Sequence, residues 1–185
     1  IEKSSCTKKE KKKEKKEKKK EKKKEKSVAV TKPFLKWVGG KTQIIRTITE
    51  KMPLEMNSYH EPFIGGGSVL LAVLSMQKSG KLVIKNDIWA SDANPVLIGL
   101  YKNIQNDKDK LCEYIQNYME VYESCDGTEI NRKPLNLLEA QTSRESYYYW
   151  LRARFNDVKS ENNVECSALF MILNKLCFRG LYREG

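Results

Sequence analysis

The chain has 185 residues, which is enough for one domain, or for one domain and part of another. Its formal net charge is +11, but residues 1–26 hold 15 of the 35 basic and 6 of the 24 acidic residues, and so account for +9 of it. No run of 18 apolar residues and no signal-peptide pattern occurs, so we expect an intracellular protein that has no membrane partner.

Residues 1–27 form a low-complexity tail of lysine and glutamate. Residues 8–26 contain no apolar side chain, which excludes a coiled coil or a core element. The glutamates recur every three or four residues, so a solvated, partly helical arm and a disordered tail both remain open. So dense a lysine run either attracts a polyanion such as DNA or only keeps the chain in solution.

The remaining residues begin with an extended segment, 27–37, and continue with a predicted helix over residues 41–52. SYHEPFIGGGSVLLAVL, residues 58–74, predicts a strand, a glycine turn and an apolar helix, and residues 82–92 predict a second strand. This order is typical of a parallel α/β sheet. Four further helices, predicted over residues 94–104, 107–122, 143–157 and 164–178, indicate an inserted helical lobe.

The first glycine-rich stretch, FLKWVGGKTQ, contains Gly39-Gly40-Lys41-Thr42 and invites comparison with a phosphate-binding loop. Such a loop needs an earlier glycine to bend its backbone around phosphates, and Leu35 occupies that position. The sequence therefore disfavours a nucleoside triphosphate site here.

The second glycine-rich stretch places Gly65 and Gly67 between a strand and a helix, where backbone N–H groups can approach a ligand. Leu70 stands where a dinucleotide fingerprint needs its third glycine, so a simple tight turn is an equally open interpretation. Either Asp87 or Asp92 could then hold a ribose. We favour Asp92, because it falls at a strand-to-helix turn, whereas Asp87 falls inside the predicted strand.

The five cysteines are never spaced C-x-x-C, and only His60 could join them as a ligand. The sequence therefore predicts reduced cysteines and no metal site.

Together, PFLKWVGGK, EPFIGGGSV and SDANPVLIGLY resemble the first three motifs of the Dam-type (D12) DNA adenine N6-methyltransferases. YYWLRARFN and ALFMILNKLCFRGLYR resemble the next two. The resemblance implies a Rossmann-like α/β fold in which residues 28–104 bind S-adenosylmethionine and residues 105–185 form a helical target-recognition region. It also implies double-stranded DNA as the partner, and we expect a monomer.

The resemblance assigns a cofactor role to seven positions. Asp92 matches the acid that holds the ribose, and the loop from Glu61 to Gly67 matches the one around the methionine moiety. The full set is Trp37, Lys41, Glu61, Phe63, Gly65, Gly67 and Asp92.

For DNA, the resemblance points to CFRGLYREG and to Arg179, Tyr182 and Arg183. Arg183 matches an arginine that reads a guanine, to which arginine can make two hydrogen bonds. Arg179 replaces a more usual asparagine, which leaves the recognised sequence open between GATC and another site.

The family's catalytic Asp-Pro-Pro-Tyr motif is absent from these 185 residues, and we expect it beyond Gly185. On this interpretation the sequence is an N-terminal fragment, truncated at its C-terminus and inactive alone. A non-catalytic DNA-binding module, a truncated pseudoenzyme and a nicotinamide-dependent oxidoreductase are the alternatives.

Deletion of residues 1–27 is expected to flatten the salt dependence of DNA binding, because each phosphate contact contributes about 0.9 to the slope of log K against log salt. Fluorescence anisotropy of a labelled duplex at several salt concentrations measures that slope. An unchanged slope would leave the tail a solubilising role only.

Overall fold

The computed structural model describes residues 31–180, apart from the side chain of Arg179. The predicted tail and residues 181–185 lie outside the described residues. The described elements, in chain order, are α1 (Ile45–Lys51), β1 (Glu55–Met56), β2 (Tyr59–Glu61), α2 (Ser68–Lys78), β3 (Val83–Ile84), β4 (Ile88–Ala90), α3 (Pro95–Asn106), α4 (Lys108–Ser124), α5 (Leu137–Ala140), α6 (Arg144–Val158) and α7 (Val164–Leu176). A 3-10 turn, Phe178–Gly180, follows α7.

Polar side chains mark where three of the longer helices after β4 begin. Asn94, Ser143 and Asn163 each accept a hydrogen bond from a backbone N–H in the first turn of α3, α6 and α7. These caps satisfy N–H groups that have no partner inside the helix, and they explain why the predicted starts agree with the structure.

The helix predicted over residues 41–52 is shorter than expected. Residues 42–44 form a turn in which the Ile44 N–H donates to the Lys41 carbonyl oxygen (3.0 Å), and α1 begins only at Ile45. Lys41 therefore belongs to the turn that follows the first glycine-rich stretch.

The strand predicted over residues 82–92 is interrupted. Glu55 pairs with Val83 and Tyr59 pairs with Ile88, both in parallel, so the register shifts by one residue between the two ladders. Backbone hydrogen bonds continue across the interruption, since the Tyr59 N–H donates to the Asp87 carbonyl oxygen (3.0 Å).

The described residues thus form a mixed α/β structure with two small parallel sheets, β1 with β3 and β2 with β4. The wider Rossmann-like sheet, the separate helical lobe and the division of the chain at residue 104 remain predictions.

One hydrophobic core joins the segments before and after residue 104. Leu35 and Ile64, from the two glycine-rich stretches, are buried in the same cluster as Leu97, Leu151 and Phe170 from α3, α6 and α7. The two glycine-rich stretches therefore pack, through Leu35 and Ile64, on the same core as helices α3, α6 and α7.

An ion pair joins α4, α6 and α7. Arg154 donates to both oxygens of Glu165 (2.8 and 3.0 Å), and the Tyr118 hydroxyl donates to one of them (2.7 Å). The hydrogen bonds from Arg154 are the main reason that the pKa of Glu165 is lowered from its ordinary value. The charged carboxylate consequently stabilises the fold above the unfolded-state pKa of roughly 4.3, and this contribution is lost as pH falls through the folded-state pKa.

Replacement of Glu165 by Gln is expected to lower the free energy of unfolding at pH 7 by about 1–2 kcal/mol, because three charge-assisted hydrogen bonds are weakened. Urea denaturation at pH 7 and at about pH 3 should show the difference from wild type shrinking in acid. Glu50→Gln is the control: the Arg46–Glu50 pair is exposed, so less than about 0.5 kcal/mol is expected. A loss for Glu165→Gln that is equal at both pH values would contradict the argument.

Candidate functional site

The first glycine-rich stretch makes a tight turn that places Trp37 and Lys41 on the same pocket. The Gly40 N–H donates to the Trp37 carbonyl oxygen (3.1 Å), and Gly39 has φ +74°, a conformation that favours glycine. The turn brings both side chains to the pocket described below.

The second glycine turn packs directly against the Trp37 indole. A methyl group at Gly65 would lie 2.9 Å from Trp37 Cδ1, and one at Gly66 would lie 2.8 Å from Trp37 Cβ. These distances are too short for any larger residue, so the glycines are needed at this contact for close approach as well as for the turn. The indole also meets the Phe170 ring of α7 edge-on, with centroids 6.3 Å apart.

Asp92 connects the two turns that follow β2 and β4. Its Oδ2 accepts a hydrogen bond from the Gly65 N–H (2.9 Å), and its Oδ1 accepts one from the Asn94 N–H (3.0 Å). A carboxylate offers about four acceptor positions, so each oxygen keeps one for a ligand.

These segments enclose an open cavity of about 260 Å³. Six of the seven predicted cofactor residues line it, and they come from three separate parts of the sequence. They are Trp37, Lys41, Glu61, Phe63, Gly65 and Asp92. Phe63 is 83% exposed at the cavity. Seven further residues line the cavity and were not predicted, although each lies within two residues of a predicted one in the sequence. They are Val38, Gly39, Gly40, Ile64, Gly66, Ser68 and Val69.

Gly67, the seventh predicted residue, does not line the cavity. It has φ +71° and precedes the first residue of α2, where the Tyr101 hydroxyl covers it so closely that a Cβ would collide. The structure thus gives Gly67 a clear packing reason, while its predicted cofactor role remains a proposal.

Glu61 and Asp92 are the two half-buried acids that line the cavity. The Tyr59 hydroxyl donates to Glu61 Oε2 (2.8 Å). Burial raises the pKa of Glu61, and the hydrogen bond from Tyr59 partly opposes the rise. Burial, with a smaller contribution from the charge of Glu61, also raises the pKa of the Tyr101 hydroxyl to about 12.

Of the two aspartates considered for the ribose, Asp92 lines the cavity, whereas Asp87 is exposed at the interruption between β3 and β4. Among the residues predicted to contact DNA, the backbone of Arg179 lies in the 3-10 turn after α7, beside Phe178, whose side chain is 78% exposed. Tyr182 and Arg183 lie outside the described residues.

Within residues 31–180, no group of three or more His, Cys, Asp or Glu side chains could hold a metal ion. In the same part of the chain, no helix combines the length and the apolar character needed to cross a membrane.

Residues 37–185 match the family described as D12 class N6 adenine-specific DNA methyltransferase. The chain belongs to this family. The matched region contains all seven predicted cofactor residues and the three predicted DNA-binding residues. The family is generally dependent on S-adenosylmethionine.

Individual relatives agree with the family. The chain is 37% identical over 158 residues to the type II methyltransferase M.MjaIII of Methanocaldococcus jannaschii, an alignment that covers 82% of this chain and 48% of the relative. It is 30% identical over 152 residues to the DNA adenine methylase of Haemophilus influenzae and 28% identical over 152 residues to that of Escherichia coli, each alignment covering 82% of this chain and 43% of the relative. The chain therefore spans about half the length of these curated relatives.

Replacement of Gly66 by Ala is expected to displace Trp37 and to weaken binding of S-adenosylmethionine by about tenfold, since overpacking typically costs about 1–3 kcal/mol. Isothermal titration calorimetry of the full natural chain measures the dissociation constant. Gly80→Ala is the control, because Gly80 has φ +69° but open space around it, so the substitution strains the backbone without touching the cavity. Equal cofactor affinities in the two variants would contradict the role given to the contact with Trp37.

Proposed function

We propose that the protein transfers a methyl group from S-adenosylmethionine to N6 of adenine in duplex DNA. The observation that carries the proposal is the meeting of residues 37–41, residues 61–65 and Asp92 at one cavity. These segments belong to the first three sequence motifs that resemble the family. The motifs are separated along the chain, so their position in the sequence alone does not require them to line one cavity.

The chemistry of the cavity suits S-adenosylmethionine. Asp92 keeps acceptor positions for the two ribose hydroxyls, and Glu61 can accept from the ammonium group of the methionine moiety. Lys41 Nζ donates to the Gly39 carbonyl oxygen (2.9 Å) and has two further donors for a carboxylate. Trp37 and Phe63 offer aromatic surface for the adenine and the sulfonium. When bound, the cofactor supplies an activated methyl group.

We assign DNA contact to the turn after α7 and the residues that follow it. An adenine amine cannot be reached inside the base stack, so the base must leave the helix. Exposed aromatic side chains can stack on bases, and arginine can read guanine by two hydrogen bonds, which suits Phe178 and Arg183 respectively. Arg179 and Tyr182 complete the proposed contact.

The groups that accept the amine protons are proposed to come from an Asp-Pro-Pro-Tyr motif beyond Gly185. Acceptors at the amine make its lone pair available for attack on the methyl group, and an aromatic ring can stack on the extruded base.

The direct test is to incubate the full natural chain with duplex DNA and isotopically labelled S-adenosylmethionine, and then to analyse the digested nucleosides. The proposal expects label in N6-methyladenine. Duplex binding without transfer would support a non-catalytic DNA-binding module or pseudoenzyme instead, and binding of a nicotinamide dinucleotide in preference to S-adenosylmethionine would support an oxidoreductase.

Replacement of Asp92 by Ala is expected to raise the dissociation constant of S-adenosylmethionine by roughly 10- to 100-fold, because a charged acceptor for the ribose is lost and the Gly65 and Asn94 N–H groups lose their partner. Calorimetry measures the constant, and far-ultraviolet circular dichroism checks the fold. Asp87→Ala is the matched control and should remain within about twofold of wild type. A similar loss in both variants would refute the role of Asp92.

A further inference from the structure

Asn174 is a polar residue directly after the apolar run 168–173 of α7, and it is only 3% exposed. Its Oδ1 accepts a hydrogen bond from the Lys36 N–H (2.9 Å). Its Nδ2 donates to the Lys36 carbonyl oxygen (2.8 Å) and to the Gly180 carbonyl oxygen (3.0 Å). The side chain thus uses both of its donors and one acceptor on backbone groups of two segments, one of them 138 residues away in the chain and the other six residues away.

The chemistry of these bonds specifies an amide. Lys36 presents one donor and one acceptor to α7, and a side-chain amide satisfies both, as a neighbouring β-strand would. A carboxylate could not donate to the two carbonyl oxygens, and an apolar side chain would leave three backbone groups without these partners.

Each of the two segments held by Asn174 adjoins one proposed binding site: Lys36 adjoins the cofactor cavity, and Gly180 belongs to the DNA-contacting turn. Lys36 immediately precedes Trp37, which packs on Gly65 and Gly66 and lines the cofactor cavity. Gly180 ends the turn that contains Phe178 and Arg179.

The Phe178–Gly180 turn also lies directly against the backbone of Lys36. Gly180 has φ +68°, and a Cβ there would collide with Lys36. Lys36 Nζ adds a further bond, to the Lys175 carbonyl oxygen (3.1 Å).

We propose that Asn174 is a positioning residue that couples the cofactor cavity to the DNA-contacting turn. The inference rests on the proposed function. Asn174 does not line the cavity, but it holds the backbone of Lys36 and of Gly180, on which the cavity and the turn depend. A ligand that orders one of these two segments therefore also orders part of the surface that binds the other ligand. Binding of S-adenosylmethionine and binding of DNA then favour each other.

The test compares the dissociation constant of S-adenosylmethionine in the absence and presence of saturating duplex DNA. In the wild-type full natural chain the ratio of the two constants should be about fivefold or more. In Asn174→Ala both ligands should bind about tenfold more weakly, and the ratio should fall close to 1. If circular dichroism shows that the alanine variant is unfolded, Asn174→Ser replaces it in the test, because serine keeps one donor and one acceptor. The ratio of the two dissociation constants should also fall in Asn174→Ser.

Asn103→Ala is the matched control. The Asn103 side-chain amide also joins two elements, since it donates to Ser167 Oγ (2.8 Å) and to the Asn162 carbonyl oxygen (3.3 Å), but it holds neither Lys36 nor Gly180. This variant should lose stability and keep the wild-type ratio, which separates positioning from a general loss of structure.

A folded Asn174 variant with the wild-type ratio overturns the inference, as does a wild-type protein that binds both ligands independently. A wild-type protein that binds neither ligand overturns the proposed function itself, and the inference with it.

Discussion

The contact between the Trp37 indole and the backbone of Gly65 and Gly66 is the constraint on which the candidate site depends. Residues 34–41 contain no helix or strand, so their position depends on contacts with the rest of the protein. Asn174 holds the backbone of Lys36, and the indole fixes the next residue by occupying the space that side chains at Gly65 and Gly66 would fill. Phe170 supports the indole from α7, so the cavity wall rests on the main hydrophobic core.

Asp92 has a structural task and a proposed ligand-binding task that reinforce each other. Its carboxylate accepts from backbone N–H groups in the glycine turn and at the start of the α3 segment, which fixes its orientation. A carboxylate fixed in this way loses little side-chain freedom when it also accepts from a ligand, so it binds with a smaller entropic cost. Local N–H groups also compensate its charge, which is why an acid is tolerated at this half-buried turn.

Local features of the sequence predict much of the fold. The caps at Asn94, Ser143 and Asn163 and the apolar periodicity after them give the starts of three helices to within about a residue. The interruption at residues 85–87 was not predicted, since a register shift depends on the partner strand. Asn174 was missed for a similar reason. The signal was present, as an amide directly after the apolar run 168–173 of α7, but Lys36, which takes part in two of its three hydrogen bonds, is 138 residues away along the chain.

The geometry of the first glycine turn also explains how the same residue types can serve two different kinds of site. A phosphate-binding loop leaves its backbone N–H groups pointing at the ligand. Here the Gly40 N–H is bonded to the Trp37 carbonyl oxygen, and Lys41 Nζ to the Gly39 carbonyl oxygen. The turn therefore uses the Gly40 N–H and one of the three Lys41 donors to hold itself, and it presents the Trp37 and Lys41 side chains to the cavity. A Gly-Gly-Lys sequence beside a tryptophan thus suits a ligand recognised through an aromatic surface and a carboxylate more than one recognised through phosphates.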